Sequence, residues 1–217
     1  MSLNKIIVML GAPGAGKGTQ ARKLQEKFSL PQISTGDILR QIAKENTPLG
    51  STVREIQALG KLVGDDVLLE LVTERTNKKD CTEGFVLDGY PRTLNQAKQL
   101  SLLAKKHNKP VFVIEVKVSE EILLNRLTGR RTCSGCGEIY NIYYKPPKHE
   151  NKCDICESSL TNRSDDKLEA IKSRLEEYKA NTAPLIDYYT NINSLISVDG
   201  TRLSSEIFDE LCCILKS

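Results

Sequence analysis

Gly11-Ala12-Pro13-Gly14-Ala15-Gly16-Lys17-Gly18-Thr19 follows Lys5-Ile6-Ile7-Val8-Met9-Leu10 without a break, and from Lys17 a run begins with Ala21, Leu24 and Phe28 at helical spacing. The residues in front are apolar and mostly β-branched or long aliphatics, which predicts a buried strand. Strand, glycine-rich loop and helix in that order are the setting a phosphate-binding P-loop requires. Glycines let backbone N–H groups curl around phosphate oxygens, and the helix N-terminus adds its positive dipole end. Lys17 supplies a point charge for the β- and γ-phosphates. The general pattern has Ser or Thr directly after the lysine; here Gly18 intervenes and Thr19 follows. Such a loop predicts binding of a nucleoside triphosphate and leaves the reaction open.

Working outward, strand-like and helix-like runs alternate. Strands are expected at 5–10, 85–88, 111–116 and 195–198, with a short one at 32–34. Helices are expected at 37–44, 51–59 (closed by Gly60), 66–76, 94–107, 120–127 (ending near Gly129) and 204–215. Repeated β-α-β order implies an α/β fold, a parallel sheet with helices on both faces. Residues 130–163 break the pattern with four cysteines, several tyrosines and Pro146-Pro147, and are expected to form an inserted lobe. A long helix resumes after Asp165-Asp166, with Glu169 spaced for a capping box on Asp166.

The 217 residues fit one sizeable domain or a core domain with small inserted lobes. A net charge of +3 argues against a global nucleic-acid or membrane-surface footprint. The longest apolar runs are too short to span a bilayer. The N-terminus lacks the basic flank and long apolar region of a signal peptide, so a cytoplasmic protein is expected. Seven cysteines in such a chain do not suggest a disulfide framework. Cys81, Cys212 and Cys213 are expected to be small, partly buried hydrophobes.

Arginines recur where strands end. Arg40 follows Ser34-Thr35-Gly36-Asp37 by one helical turn, and Arg92 closes Asp88-Gly89-Tyr90-Pro91. Arg126 and Arg130, four apart, are expected on one helix face, with Arg131 pointing elsewhere. Arg163 and Arg174 flank and enter the helix after the inserted lobe. Most single arginines are solvated surface residues. This set beside a P-loop instead suits phosphoryl transfer, where catalysis is positioning and charge clamping and the planar guanidinium fork binds phosphate in two places. Such a set suggests two phosphorylated ligands. Asp88, at a strand end, has the chemistry to hold Mg²⁺ through water.

Gly11–Thr19 together with Ser-Thr-Gly-Asp at 34–37, Asp-Gly-Tyr-Pro-Arg at 88–92 and Gly-Arg-Arg at 129–131 resembles the adenylate kinase family, whose own loop has the Gly18-Thr19 form. The resemblance extends to Thr-Ala-Pro-Leu at 182–185 and Val-Asp-Gly-Thr at 198–201, and is strongest to the bacterial long-lid type with a zinc-bearing lid. It implies a five-stranded parallel sheet and reversible phosphoryl transfer from MgATP to AMP, giving two ADP, by a monomer. It implies a P-loop core of 1–33, 64–128 and 167–217, an AMP-binding lobe of 34–63 and a lid of 129–166. Gly14, Ala15, Gly16, Lys17, Gly18 and Thr19 would hold the ATP phosphates. Ile139, Tyr140 and the backbone near Arg202 would touch the donor nucleotide. Thr35, Arg40, Lys61, Leu62, Val63, Gly89, Tyr90, Pro91, Arg92 and Gln96 would line the AMP site, with Thr35 and Gln96 reading the adenine. Arg126, Arg130, Arg163 and Arg174 would clamp the transferring group, the first two also belonging to the ATP site and the last two to the AMP site. No general base is required, because an AMP phosphate oxygen is already a nucleophile, so His107 and His149 are expected at the surface. A kinase for UMP, CMP or GMP is the neighbouring alternative.

Cys133-x₂-Cys136 and Cys153-x₂-Cys156 have the spacing of a structural zinc site, closed by four thiolates with no open position. Neither pair opens a helix in a thioredoxin-like unit, which disfavours a redox pair. A four-cysteine ribbon can also contact nucleic acid, as in a nucleotide-gated binding module. Here Lys145, Lys148 and Lys152 are offset by Glu138, Glu150, Asp154 and Glu157. A lobe of about 35 residues needs such a staple, having little core of its own.

Overall fold

The computed structural model describes residues 3–216. In chain order the elements are β1 (Lys5–Leu10), α1 (Lys17–Phe28), β2 (Gln32–Ser34), α2 (Thr35–Ile42), α3 (Pro48–Ala58), α4 (Asp65–Thr76), β3 (Gly84–Asp88), α5 (Leu94–Lys106), β4 (Val111–Lys117), α6 (Glu120–Thr128), β5 (Arg130–Cys133), β6 (Ile139–Asn141), β7 (Leu160–Thr161), α7 (Leu168–Glu177), α8 (Pro184–Asn191), β8 (Leu195–Asp199) and α9 (Ser204–Lys216).

The main sheet is five-stranded and parallel, in the order β2-β3-β1-β4-β8. Side chains alternate across it: Ile6, Val8 and Leu10 enter the core on one face, Ile7 and Met9 the core on the other. Helices therefore cover both faces, as the near-continuous apolar strands predict. Met9 pairs with Asp88 in the β1–β3 register. Asp88 thus ends its strand beside the start of the glycine loop, at the carboxyl edge where parallel sheets bind ligands. No helix among the described residues is long and apolar enough to cross a membrane.

Residues 130–163 contribute a separate three-stranded antiparallel sheet, β6-β5-β7. Its buried core consists of Cys133, Tyr140, Cys153 and Leu160. No apolar periodicity announces such short strands, so the sequence shows only an interruption.

Several sequence expectations are corrected. Helix α2 starts at Thr35, because the Ser34 side chain accepts from Asp37 N–H and caps it. Helix α3 starts at Pro48, with Thr47 capping Gly50 N–H, a legible Thr-Pro start. Asp166 does not cap α7, whose N-cap is Lys167 without a side-chain bond; its carboxylate is taken by arginines instead. Arg126 and Arg130 do not share a helix face, since α6 ends at Thr128 and Arg130 opens β5. The long helix after 166 is interrupted by a π-turn at Tyr178–Thr182 before Pro184 starts α8. Cys81 is buried and Cys212 half-buried, but Cys213 is exposed. His149 is exposed, whereas His107 is half-buried edge-on against Phe85.

Candidate active site

A cleft of about 1290 Å³ runs along the carboxyl edge of the sheet, between the glycine loop, residues 34–62 and the small antiparallel sheet. It exceeds the ~300–1,000 Å³ of a pocket for one small molecule, which favours two ligands.

The loop Gly11–Gly16 leads into α1, whose N-cap Gly16 is left-handed at φ 99° and suits only glycine. A side chain at Gly18 would start 2.9 Å from Asp88 Oδ2. That close approach gives a physical reason for the glycine where other P-loops carry Ser or Thr. Lys17 Nζ donates to Gly11 O and Ala12 O at 2.8 and 2.9 Å, folded onto its own loop. Burial lowers its pKa from 10.5 to about 8; Asp88 opposes the shift, and Arg92, Arg174 and Arg130 add to it. Asp88 accepts a long hydrogen bond from Gln32 Nε2, 3.4 Å.

The arginines converge on the same cleft, each anchored by a different part of the chain. Arg92 Nε donates to Gly89 O at 2.8 Å. Arg126 bonds Ala15 O and Gly200 O, tying α6 to the phosphate loop and to the loop after β8. Arg163 Nε donates to Thr132 Oγ1 at 3.1 Å, and burial, aided by Arg130 and Arg40, lowers its pKa to about 9. Burial likewise lowers Arg92 and Arg174. Such crowding of cations in one desolvated cleft favours polyanionic ligands.

Three of these arginines rest on carboxylates that the sequence reading did not single out as partners. Arg130 forks onto Asp166, Arg174 meets Asp165 at 3.0 Å and Asp166 at 3.3 Å, and Arg40 meets Asp37 at 2.5 Å. Burial alone would raise the Asp165 carboxyl, but Arg174, Arg130, Arg40 and Arg163 outweigh it and hold it below the ordinary range. Two adjacent acids following Arg163 were the available signal.

Not every expected residue faces the open cleft. Leu62, Gly89, Pro91, Ile139, Tyr140 and Arg202 line it; Thr35, Lys61, Val63, Tyr90 and Gln96 do not. Thr35 is buried with Oγ1 on Gly89 O. Gln96 is buried beneath Arg92: its Oε1 accepts from Arg92 N–H and its Nε2 donates to Asp65, both at 2.7 Å. Tyr140 turns into the small lobe, where its hydroxyl accepts from Asp154 N–H.

The four cysteine sulfurs lie within 4.8 Å of one another, with Cys133–Cys156 at 3.4 Å and Cys136–Cys153 at 3.5 Å. Tetrahedral zinc, with Zn–S near ~2.3 Å, needs sulfurs roughly 3.8 Å apart, so the set fits. The two knuckles repeat each other. Gly137 N–H bonds Cys133 O, and Glu157 N–H bonds Cys153 O. Gly137 is left-handed at φ 74°, and Glu157 adopts the same region at φ 59° without a glycine. Backbone N–H groups of Gly135, Cys136 and Ile155 point at the sulfurs of Cys133 and Cys153, which suits thiolates.

A family model described as adenylate kinase matches residues 9–194. The chain is 50% identical over 211 residues to an adenylate kinase from Thermodesulfovibrio yellowstonii, covering 97% of this chain and 98% of that one. It is 47% identical to one from Archaeoglobus fulgidus, with 97% of each chain covered. It is 48% identical to one from Clostridium botulinum, covering 96% of this chain and 97% of that one. The phosphate loop, the ring of arginines and near-end-to-end similarity converge: the chain belongs to the adenylate kinase family.

Proposed function

We propose that this chain, an adenylate kinase, transfers a phosphoryl group reversibly from MgATP to AMP, giving two ADP. The observation that carries the reading is the gathering of Lys17, Arg40, Arg92, Arg126, Arg130, Arg163 and Arg174 around one cleft that opens on the phosphate loop. Glycine-loop N–H groups and Lys17 hold the donor phosphates. Arg40 and Arg92 hold the acceptor phosphate, and Arg126, Arg130, Arg163 and Arg174 stabilise charge on the transferring group. Carboxylates on Arg40, Arg130 and Arg174 keep those guanidinium groups oriented before the polyanion arrives.

Asp88, beside the loop, would hold Mg²⁺ through water, and the ion would offset charge on the donor phosphates when bound. The attacking atom is an oxygen of AMP phosphate, already ionised, so no side chain must remove a proton. Residues 34–63 act as the AMP-binding lobe and 129–166 as the lid on a core of 1–33, 64–128 and 167–217. Their closure keeps water from competing for the phosphoryl group. Thr35, Lys61 and Val63 in that lobe, and Tyr90 and Gln96 in the core, complete the acceptor side, with Gln96 buried behind Arg92. The cysteine cluster holds zinc as a staple for the lid. As the family resemblance implies, the working unit is a monomer. Residues 129–166 carry six basic and six acidic side chains, a balance that makes the lid a poor nucleic-acid contact.

Coupled assays of ADP formation with AMP, UMP, CMP and GMP, with and without Mg²⁺, test the reading. AMP is expected to be the best acceptor, with turnover dependent on Mg²⁺. Equal or better use of another monophosphate would overturn the acceptor assignment.

A further inference from the structure

Arg22 stands on the first turns of α1, just after the loop that carries Lys17. Its Nη1 donates to Glu138 Oε2 at 2.8 Å and its Nη2 to Gly137 O at 3.2 Å. The fork therefore grips both a carboxylate and a backbone carbonyl of one turn. That turn ends the first cysteine knuckle: Gly137 N–H bonds Cys133 O, and Glu138 O accepts from Cys133 N–H. Glu138 is the better buried partner, with its side chain 18% exposed against 37% for Arg22, and Lys145 takes its other oxygen. Ile139, on the cleft wall, follows directly.

This contact joins residues more than a hundred positions apart and exists only while the knuckle lies against α1. A bond present in the covered arrangement and absent from the uncovered one shifts the balance between them by its own free energy. We propose that Arg22 is a positioning residue for the donor nucleotide: through Glu138 and Gly137 it favours the covered arrangement of the cleft over the phosphate loop. It touches no reacting atom. The inference rests on the reading of the loop and lid as the ATP side of the proposed reaction.

The test is a double-mutant cycle of Arg22→Ala, Glu138→Ala and the pair, read as KM for ATP, KM for AMP and the dissociation constant of ATP alone. Each single variant is expected to weaken ATP by about two- to fivefold, the range of a half-exposed ion pair, with KM for AMP unchanged. The pair should be no worse than either single variant, because one interaction is removed in all three. Arg22→Lys keeps the charge but not the fork on Gly137 O, and should recover part of the loss. A merely structural role would lower the melting temperature without moving ATP against AMP. Additive losses in the cycle, or ATP constants equal to the unmodified protein's in both single variants, would overturn the proposal. Unmodified protein that does not turn over ATP and AMP would instead overturn the reaction on which it rests.

Discussion

Asp166 accepts from both Nε and Nη2 of Arg130, at 2.8 and 2.5 Å, with its side chain only 3% exposed. The same carboxylate also receives Arg174 at 3.3 Å. One buried acid therefore orients two of the cations assigned to the transferring phosphoryl group. Asp166→Asn keeps the shape and removes the charge, leaving two close guanidinium groups without that counter-charge. Breaking one side of a fully buried pair costs ~3–5 kcal/mol; opening to the cleft should reduce this to about 2. Turnover should fall roughly tenfold or more as Arg130 loses its fixed direction. Denaturant unfolding and steady-state kinetics check both, and unchanged values in each would refute the orienting role.

Lys17 supplies a pH dependence whose sign is fixed. Burial brings its folded pKa down to about 8 from 10.5. Between those values the unfolded chain binds the proton that the folded chain has shed. Stability from this group therefore rises with pH across that window and is lowest below about 8. Function runs the opposite way: above pH 8 the empty cleft loses the charge that meets donor phosphate. ATP binding measured at pH 9.5 should be weaker than at pH 7.5, and Lys17→Met should show a smaller change, the part left to Arg163, whose pKa burial lowers to about 9. The methionine variant should also fold and lose at least about a hundredfold in turnover. Near-normal turnover would remove Lys17 from the machinery.

The sheet and phosphate loop are legible in the sequence because each depends on local chemistry: continuous apolar runs buried on both faces, and glycines at a strand-to-helix turn. The arginines are legible by type and position but not by anchor. Arg130 illustrates why. Spacing from Arg126 suggests one helix face, yet Gly129 ends the helix and a strand begins, a choice made by pairing with Tyr140 and its neighbours in β6. Gln96 shows the opposite limit. Its position on α5 is plain from periodicity, but nothing local reveals that Asp65, 31 residues earlier, and Arg92 N–H hold both ends of its amide.

Gly60 and Gly64 offer a paired prediction. Gly60 has φ +70°, and a Cβ there would meet Ala170 O at 2.6 Å and Arg174 Cγ at 3.0 Å. Gly64 has φ −55° with nothing within 4 Å of its Cβ position. Gly60→Ala should cost roughly 1–2 kcal/mol from the left-handed backbone alone, and more from the carbonyl clash. By pushing on Arg174, which the resemblance also places in the AMP site, it should raise KM for AMP. Gly64→Ala should be close to neutral. Melting curves and AMP kinetics separate the two; equal behaviour would mean the contact with α7 does not matter.

The cysteine cluster yields the last expectation. Four residues, two of them cysteines, form the buried core of the antiparallel sheet, too little to hold a lobe of that size. Free energy of zinc binding then becomes folding free energy of the lid. Metal analysis of the isolated protein should find one zinc per chain, and Cys153→Ser should lower that content. Chelation should reduce the melting temperature by at least about 5 °C. KM for ATP should rise more than KM for AMP, since the lid covers the donor side. Reductant alone should change nothing, because all four thiols are free and no disulfide links them. Protein isolated without zinc yet melting at the same temperature after chelation would mean that hydrogen bonds of the two knuckles suffice.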